Sequence, residues 1–376
     1  MIVWVIAGLL GMATGLRIGW ALVNQRSVVS SAMIIALGSL AVVATLNWAP
    51  LTLLVDTALG WPNIAIGLSQ VALVASAAGS CVMITSVAST RQPGVTRRRA
   101  VLQYGLGALI AVLTVTLFLG GERQPEMAPR EYLTRNLGSA NTALHWLVPL
   151  LYLLFALTLV AWVGMRFANP SRRGRALFIF TIGIALMVAA SAFFLMRAVG
   201  STPLVGVGTA ATLLMCAMAV VAAGSLLPAV EDWFGARREL HLIGPLRREM
   251  SRRHPDIGIG VRPRGPLVFR VAEQLSLISD ALYLEAEAAR QTSDFAGSAD
   301  VPPGTSASAQ ALAVAQWIHA ADAAGAFPGH GWLRQPANCS DREWILEIAR
   351  QYRNVGRSSG SNADDGAGAT PRPVTG

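Results

Sequence analysis

Apolar residues along this chain gather into seven blocks: Ile2–Val23, Val28–Asn47, Ile64–Ile84, Ala100–Leu119, His145–Met165, Ala176–Met196 and Leu204–Leu227. Each is 20 to 24 residues long, and a helix rising about 1.5 Å per residue needs about 20 to cross a bilayer core. The pattern changes once, at the end of Leu204–Val230, a stretch without a charge; EDWFGARREL follows it and opens an evenly charged remainder. The expected fold is all-α: a polytopic bundle of seven transmembrane helices over 1–230, a small cytosolic helical domain over 231–353, and a disordered tail over 354–376.

Within the charged remainder, Val230–Leu242 continues the seventh span, Gly244-Pro245 is expected to break it, and Leu246–Arg253 restarts it. His254–Gly265 reads as a Pro/Gly linker. Pro266–Gln291 has a helical stripe through Phe269, Ala272, Leu275 and Leu282. Glu285 and Glu287 end that segment, but at i and i+2 they diverge by about 200° on a helix and cannot share a site. Gly297–Thr305 is a connector and Ser306–Gly325 an alanine-rich helix. Ser340-x-x-Glu343 is a capping box, opening a helix in which Trp344, Ile345, Ile348 and Tyr352 fall at helical spacing.

Charge gives the membrane part a direction. The segments after spans one, three and five hold Arg26; Arg91, Arg97, Arg98 and Arg99; and Arg166, Arg172, Arg173 and Arg175, with no acid. Those after spans two, four and six hold Arg123, Arg130, Arg135 and Arg197 together with Asp56, Glu122, Glu126 and Glu131. Arginine accumulates on the cytoplasmic side, which predicts a plasma-membrane protein with its N-terminus outside and its C-terminus inside. Trp4, Trp20, Trp48, Trp61, Trp146, Trp162 and Trp233 all fall near span ends, where an amphipathic indole prefers to lie. Arg97, Arg98, Arg99, Arg237 and Arg238 are the candidate membrane-surface residues, the lipid bilayer being their partner.

The first span has no basic residue before its apolar run and no small-x-small cleavage site after it, so it reads as a retained span and not a secretory signal. Its Gly11, Gly15 and Gly19 recur every four residues on one face, a spacing that lets a neighbouring helix approach closely. No Asp, Glu or His lies deep in any span, whereas ion-coupled pumps use such groups at mid-membrane. Gln70, Ser76, Ser80, Tyr104, Tyr152, Thr158 and Ser191 are polar and neutral; interhelical hydrogen bonding is their expected role, with a solute path past Gln70 as the sharper alternative. The loop Gly120–Leu144 carries PEMAPREYLTRNL, in which Pro129 is placed to start a short helix.

Composition removes several chemistries. All 30 basic residues are arginine, so no reaction that needs a lysine amine is available: no Schiff base, no P-loop, no Ser–Lys dyad. Of the net charge of +9, residues 1–226 contribute +10 (14 Arg, 4 acids) and residues 227–376 contribute −1 (16 Arg, 17 acids). A nucleic-acid binder would show a basic soluble half, and none is expected as partner. Cys81, Cys216 and Cys339 have no metal-ligand or CxxC spacing, and His319, His330 and Cys339 follow no ligand pattern. No catalytic motif occurs, so neither an enzyme nor a cofactor is expected.

Three segments, WFGARRELHLIGPLRREMSRRHPDIGI, FRVAEQLSLISDAL and SDREWILEIARQYR, resemble an actinobacterial family of seven-span integral membrane proteins with a C-terminal cytosolic domain of unknown function, often labelled putative transporters. In the second segment the chain keeps the family's Ile278 and Asp280, with Leu277 and Ser279 where the family carries Glu and Arg. Asp280 is accordingly the candidate partner-binding residue. The resemblance implies no substrate, cofactor or catalytic residue. The expected function is a membrane-embedded sensor or scaffold whose cytosolic helices bind a protein partner or a second copy; the alternative, which the family label suggests, is a small-solute transporter.

Overall fold

The computed structural model describes residues 2–23, 27–87, 93–137, 143–200, 206–257, 267–292, 301–320 and 329–366. Arg26, Arg91, Leu204, the linker from Gly258, residues 297–300 of the connector, 321–325 and the tail from 367 lie outside them. The described residues are helical, without strands: α1 (Ile2–Val23), α2 (Val28–Leu46), α3 (Ala49–Leu59), α4 (Ile64–Val87), α5 (Pro93–Leu119), α6 (Pro129–Asn136), α7 (Ala143–Phe167), α8 (Arg172–Val199), α9 (Val207–Arg253), α10 (Leu267–Thr292), α11 (Ala307–Ala320), α12 (His330–Leu333) and α13 (Asp341–Gly366). Seven of these, α1, α2, α4, α5, α7, α8 and α9, are long and apolar enough to cross a membrane. The chain is a multi-pass membrane protein. It divides into two compact units, Met1–Pro228 and Ala229–Gly376.

In the first unit α4 is the central helix, buried along most of its length through Ala65, Ala72, Val74, Ala77, Val82 and Ile84. Such helices gain little from the hydrophobic effect against one another, because lipid is as apolar as leucine, so close backbone contact has to supply the packing energy. Glycines provide it, Gly79 and Gly183 among them. A Cβ built on Gly79 would stand 2.9 Å from the Ala32 carbonyl oxygen and from the Ala36 nitrogen, which sets the α2–α4 approach. One built on Gly183 would stand 2.7 Å from the Val221 nitrogen, which sets the α8–α9 approach.

The glycines expected to do this are elsewhere. Gly11, Gly15 and Gly19 are exposed, and a Cβ on any of them would meet nothing within 4 Å. α1 packs through Ile6, Leu10 and Ala13 instead. At 100° per residue Gly15 lies about 180° around the helix from Ile6, so the glycine face turns away from the chain's own bundle.

Four segments differ from expectation. Residues 49–59 form α3 instead of a loop: Pro50 starts it, and Gly60, at φ +63°, ends it in the left-handed conformation. A four-residue helix, α12, lies before the capping box. Gly244-Pro245 does not break α9, which runs unbroken from Val207 to Arg253. A proline inside a helix costs about 3 kcal/mol; complete burial of Ile243 and Leu246 on either side of Pro245, with Met250 one turn on, offsets it. Lastly, α13 continues to Gly366, past the expected start of the tail at 354. His319 packs on α13 ahead of that extension: its ring stacks on Tyr352 at 4.1 Å, and its Nε2 lies 2.9 Å from the Tyr352 carbonyl.

The capping box at the start of α13 forms as expected. Ser340 N–H donates to Glu343 at 2.9 Å, and Glu343 N–H donates to Ser340 Oγ at 3.3 Å. The bonds from Ser340 hold the Glu343 carboxyl below its ordinary range. Glu285 and Glu287 part as expected, Glu285 to Arg253 and His254 and Glu287 towards His330.

Candidate functional sites

One end of the membrane unit carries a cap built on two residues, Asp56 near the end of α3 and Asn63 just before α4. Asp56 is buried, and its carboxylate accepts from the N–H groups of Asn63 (3.1 Å) and Ala65 (2.8 Å), satisfying donors at the start of α4. Asn63 adopts φ +62°, a conformation asparagine tolerates better than most residues. From there its Nδ2 donates to the Pro125 carbonyl at 3.0 Å and its Oδ1 accepts from Met127 N–H at 3.0 Å, which ties segment 120–128 to α4. Gln124 and Asn136 exchange a reciprocal amide pair at 2.6 and 2.7 Å, fixing the same segment to the end of α6. The Arg123 guanidinium lies 4.0 Å over the Trp61 ring. Burial pushes the Tyr132 phenol of α6 above its ordinary range.

Beneath this cap lies a cavity of about 80 Å³. Pro129 and Leu133 of α6 line it on the cap side; Ile66, Leu150, Phe194 and Leu214 give it apolar walls; Asn47, Ser69, Gln70, Trp146 and Ser191 bring polar groups. Asn47 and Ser69 are occupied with each other at 3.1 Å. Gln70 is not: its side chain is 6% exposed, and neither its Oε1 nor its Nε2 has a hydrogen-bond partner among the described residues. The interhelical hydrogen bond expected of Gln70 is therefore absent among those residues, and so is that of Tyr104. Trp146, which the sequence assigns to an interfacial belt, is 5% exposed, and its indole N–H is likewise unmatched among the described residues.

The second unit holds a groove of about 410 Å³ between α10, α12 and α13. Val268, Ala272, Ser276 and Tyr283 of α10 follow one another at helical spacing along one side, with Trp344 and Ile345 of α13 opposite. Asp280 lines the groove and is exposed. Arg342 at the rim pairs with Glu239 at 2.6 Å. Tyr283 is 54% exposed. Behind the groove, Arg253 at the end of α9 donates to Glu249 (2.8 Å), to Glu285 of α10 (3.0 Å) and to the Ile318 carbonyl of α11 (2.8 Å).

The surface arginines are placed without further assignment. Arg97, Arg98 and Arg99 are exposed in the first turns of α5, and Arg237 and Arg238 are exposed on α9. Among the described residues no group of three or more His, Cys, Asp or Glu side chains could hold a metal. In comparisons with known proteins, no family model, no curated protein and no solved structure matches the chain.

Proposed function

We propose that this protein is a plasma-membrane sensor or scaffold, N-terminus outside and C-terminus cytoplasmic, whose cytosolic helices bind an amphipathic helix of a protein partner. The observation that carries this reading is the groove between α10 and α13. It is lined by apolar Val271, Leu275, Trp344 and Ile348 and edged by the acidic Asp280, which suits the apolar anchors of a helix with a basic residue beside them. The orientation rests on the run of arginines after spans one, three and five. Kinship with the actinobacterial family is part of the same proposal and rests on the three segments quoted above.

Reporter fusions test the orientation: those after Arg99 and Arg175 should report cytoplasm, and one inside Glu122–Arg135 the outside. The opposite pattern would put the groove on the wrong side for a cytosolic partner. A photo-crosslinking amino acid at Tyr283 tests the groove. It should capture a discrete protein in cells, the same residue at the exposed Arg350 on another face of α13 should not, and Ala272→Arg should abolish the capture. Equal capture at both positions, or capture that survives Ala272→Arg, would remove the groove from the reading. Gln70 favours a second reading, small-solute transport, in which the spans alone carry the activity and the groove is dispensable.

A further inference from the structure

We propose that the cavity beneath α6 binds a small uncharged molecule carrying a hydrogen-bond donor and acceptor side by side on a short apolar body, the primary carboxamides and ureas being the simplest class. The cytosolic groove plays no part in this, and neither does any movement of solute across the bilayer.

The argument starts from the cost of what is buried. A polar group taken out of water without a partner loses about 1 to 3 kcal/mol. Three such atoms lie in this region: Gln70 Oε1, Gln70 Nε2 and Trp146 Nε1, on two side chains that are both more than nine-tenths buried and both line the same cavity. A leucine at position 70 would avoid most of that cost in an apolar span, so the amide is there at the expense of stability. A carboxamide presents one acceptor and two donors in a plane, and its natural complement is another amide, which returns a donor to Oε1 and an acceptor to Nε2. The acceptor's second lone pair is then within the chemistry of the indole N–H.

Charge and size narrow the class. Among the described residues no ionisable side chain lines the cavity, so an acid or an amine would have to shed its water with no counter-charge, a cost that far exceeds any gain from one amide. The occupant is therefore neutral. The volume of about 80 Å³ is far below the roughly 300 Å³ at which pockets for drug-sized ligands begin. At about 10 to 15 Å³ of such space per water it matches a molecule of about five to eight non-hydrogen atoms. Ile66, Leu150 and Phe194 suit a short hydrocarbon part beside the polar head.

The test uses the purified full-length protein in detergent and saturation-transfer NMR with three probes: urea, butyramide, and butyrate as a charged probe of the same size. Butyramide should receive saturation and butyrate should not. Gln70→Leu should weaken butyramide binding about tenfold, the loss of one well-made hydrogen bond pair, and should melt no lower than the wild type. Leu150→Phe, which fills the cavity and keeps the amide, should weaken it as well. Trp146→Phe keeps the ring and removes only the N–H; it should also weaken binding, and it takes the place of Gln70→Leu should that variant fail to fold. Equal transfer to butyramide in the wild type and the variants would overturn the proposal as binding to micelle or surface. No transfer to urea or butyramide would also overturn it, as solvent alone would then satisfy Gln70.

Discussion

Gly183→Leu is expected to destabilise the membrane unit by about 3 kcal/mol, enough to lower both its melting temperature in detergent and its cellular abundance, whereas Gly15→Leu leaves both unchanged. Leucine at 183 must displace the backbone of α9, because even a Cβ would stand 2.7 Å from the Val221 nitrogen and 3.1 Å from the Ala217 carbonyl oxygen. Gly224 brings the same two helices together, with Phe180 backbone 2.5 Å from its missing Cβ. A side chain cannot rotate away from backbone, so the helices separate along this seam and give up the close packing that holds helices together in lipid. At Gly15 a leucine side chain enters open space on an apolar exterior. Equal destabilisation at 183 and 15 would show that the α1 glycine face meets a further helix, a second copy of this chain.

This pair also shows what the sequence carries and what it does not. Span number was legible, because length and apolarity alone decide it; α1 occupies Ile2–Val23, whereas α5 begins seven residues before Ala100. Which face of a span meets protein was not legible, since lipid and neighbouring helices both accept apolar residues. Four-residue spacing puts Gly11, Gly15 and Gly19 on one face but is silent on what that face touches. The helix α3 was legible in part: proline near its start and glycine just past its end mark a helix, but eleven residues are too short to stand out by apolarity.

The cavity divides in the same way. Gln70 is visible in the sequence as an amide in an apolar span. Its lack of a partner among the described residues is a tertiary fact, and so is the arrival of Trp146 beside the same space. The cap escapes sequence reading because Asp56 and Asn63 act through backbone groups and through residues more than 60 positions away. The capping box is legible because its two residues are three apart and act on each other.

Arg253→Met should loosen the junction of α9, α10 and α11 by about 3 kcal/mol and remove much of that junction's sensitivity to acid. The guanidinium serves Glu249, Glu285 and the Ile318 carbonyl at once. Methionine fills a similar volume but leaves two half-buried carboxylates short of a partner, and hydrogen bonds to charged groups are worth about 1.5 to 3 kcal/mol each. Glu285 keeps His254 at 2.5 Å, which limits the loss on its side. The pH dependence follows from Glu249. Burial alone would raise its carboxyl; hydrogen bonds from Arg253 and Arg252 outweigh that and hold it below the ordinary 4.5. A carboxyl whose folded value lies below its unfolded one adds stability above the unfolded value, and that stability disappears as pH falls through the folded one. The junction is therefore firmest at neutral pH and weakens as pH falls through and below the ordinary carboxylate range. Hydrogen–deuterium exchange on the full-length protein at about pH 7 and about pH 3 reads both effects. In the variant, amides of α10 and α11 should exchange faster at neutral pH and change less on acidification. Unchanged protection at neutral pH would mean that apolar burial of Val271, Ile278 and Ile318 holds these helices without the arginine.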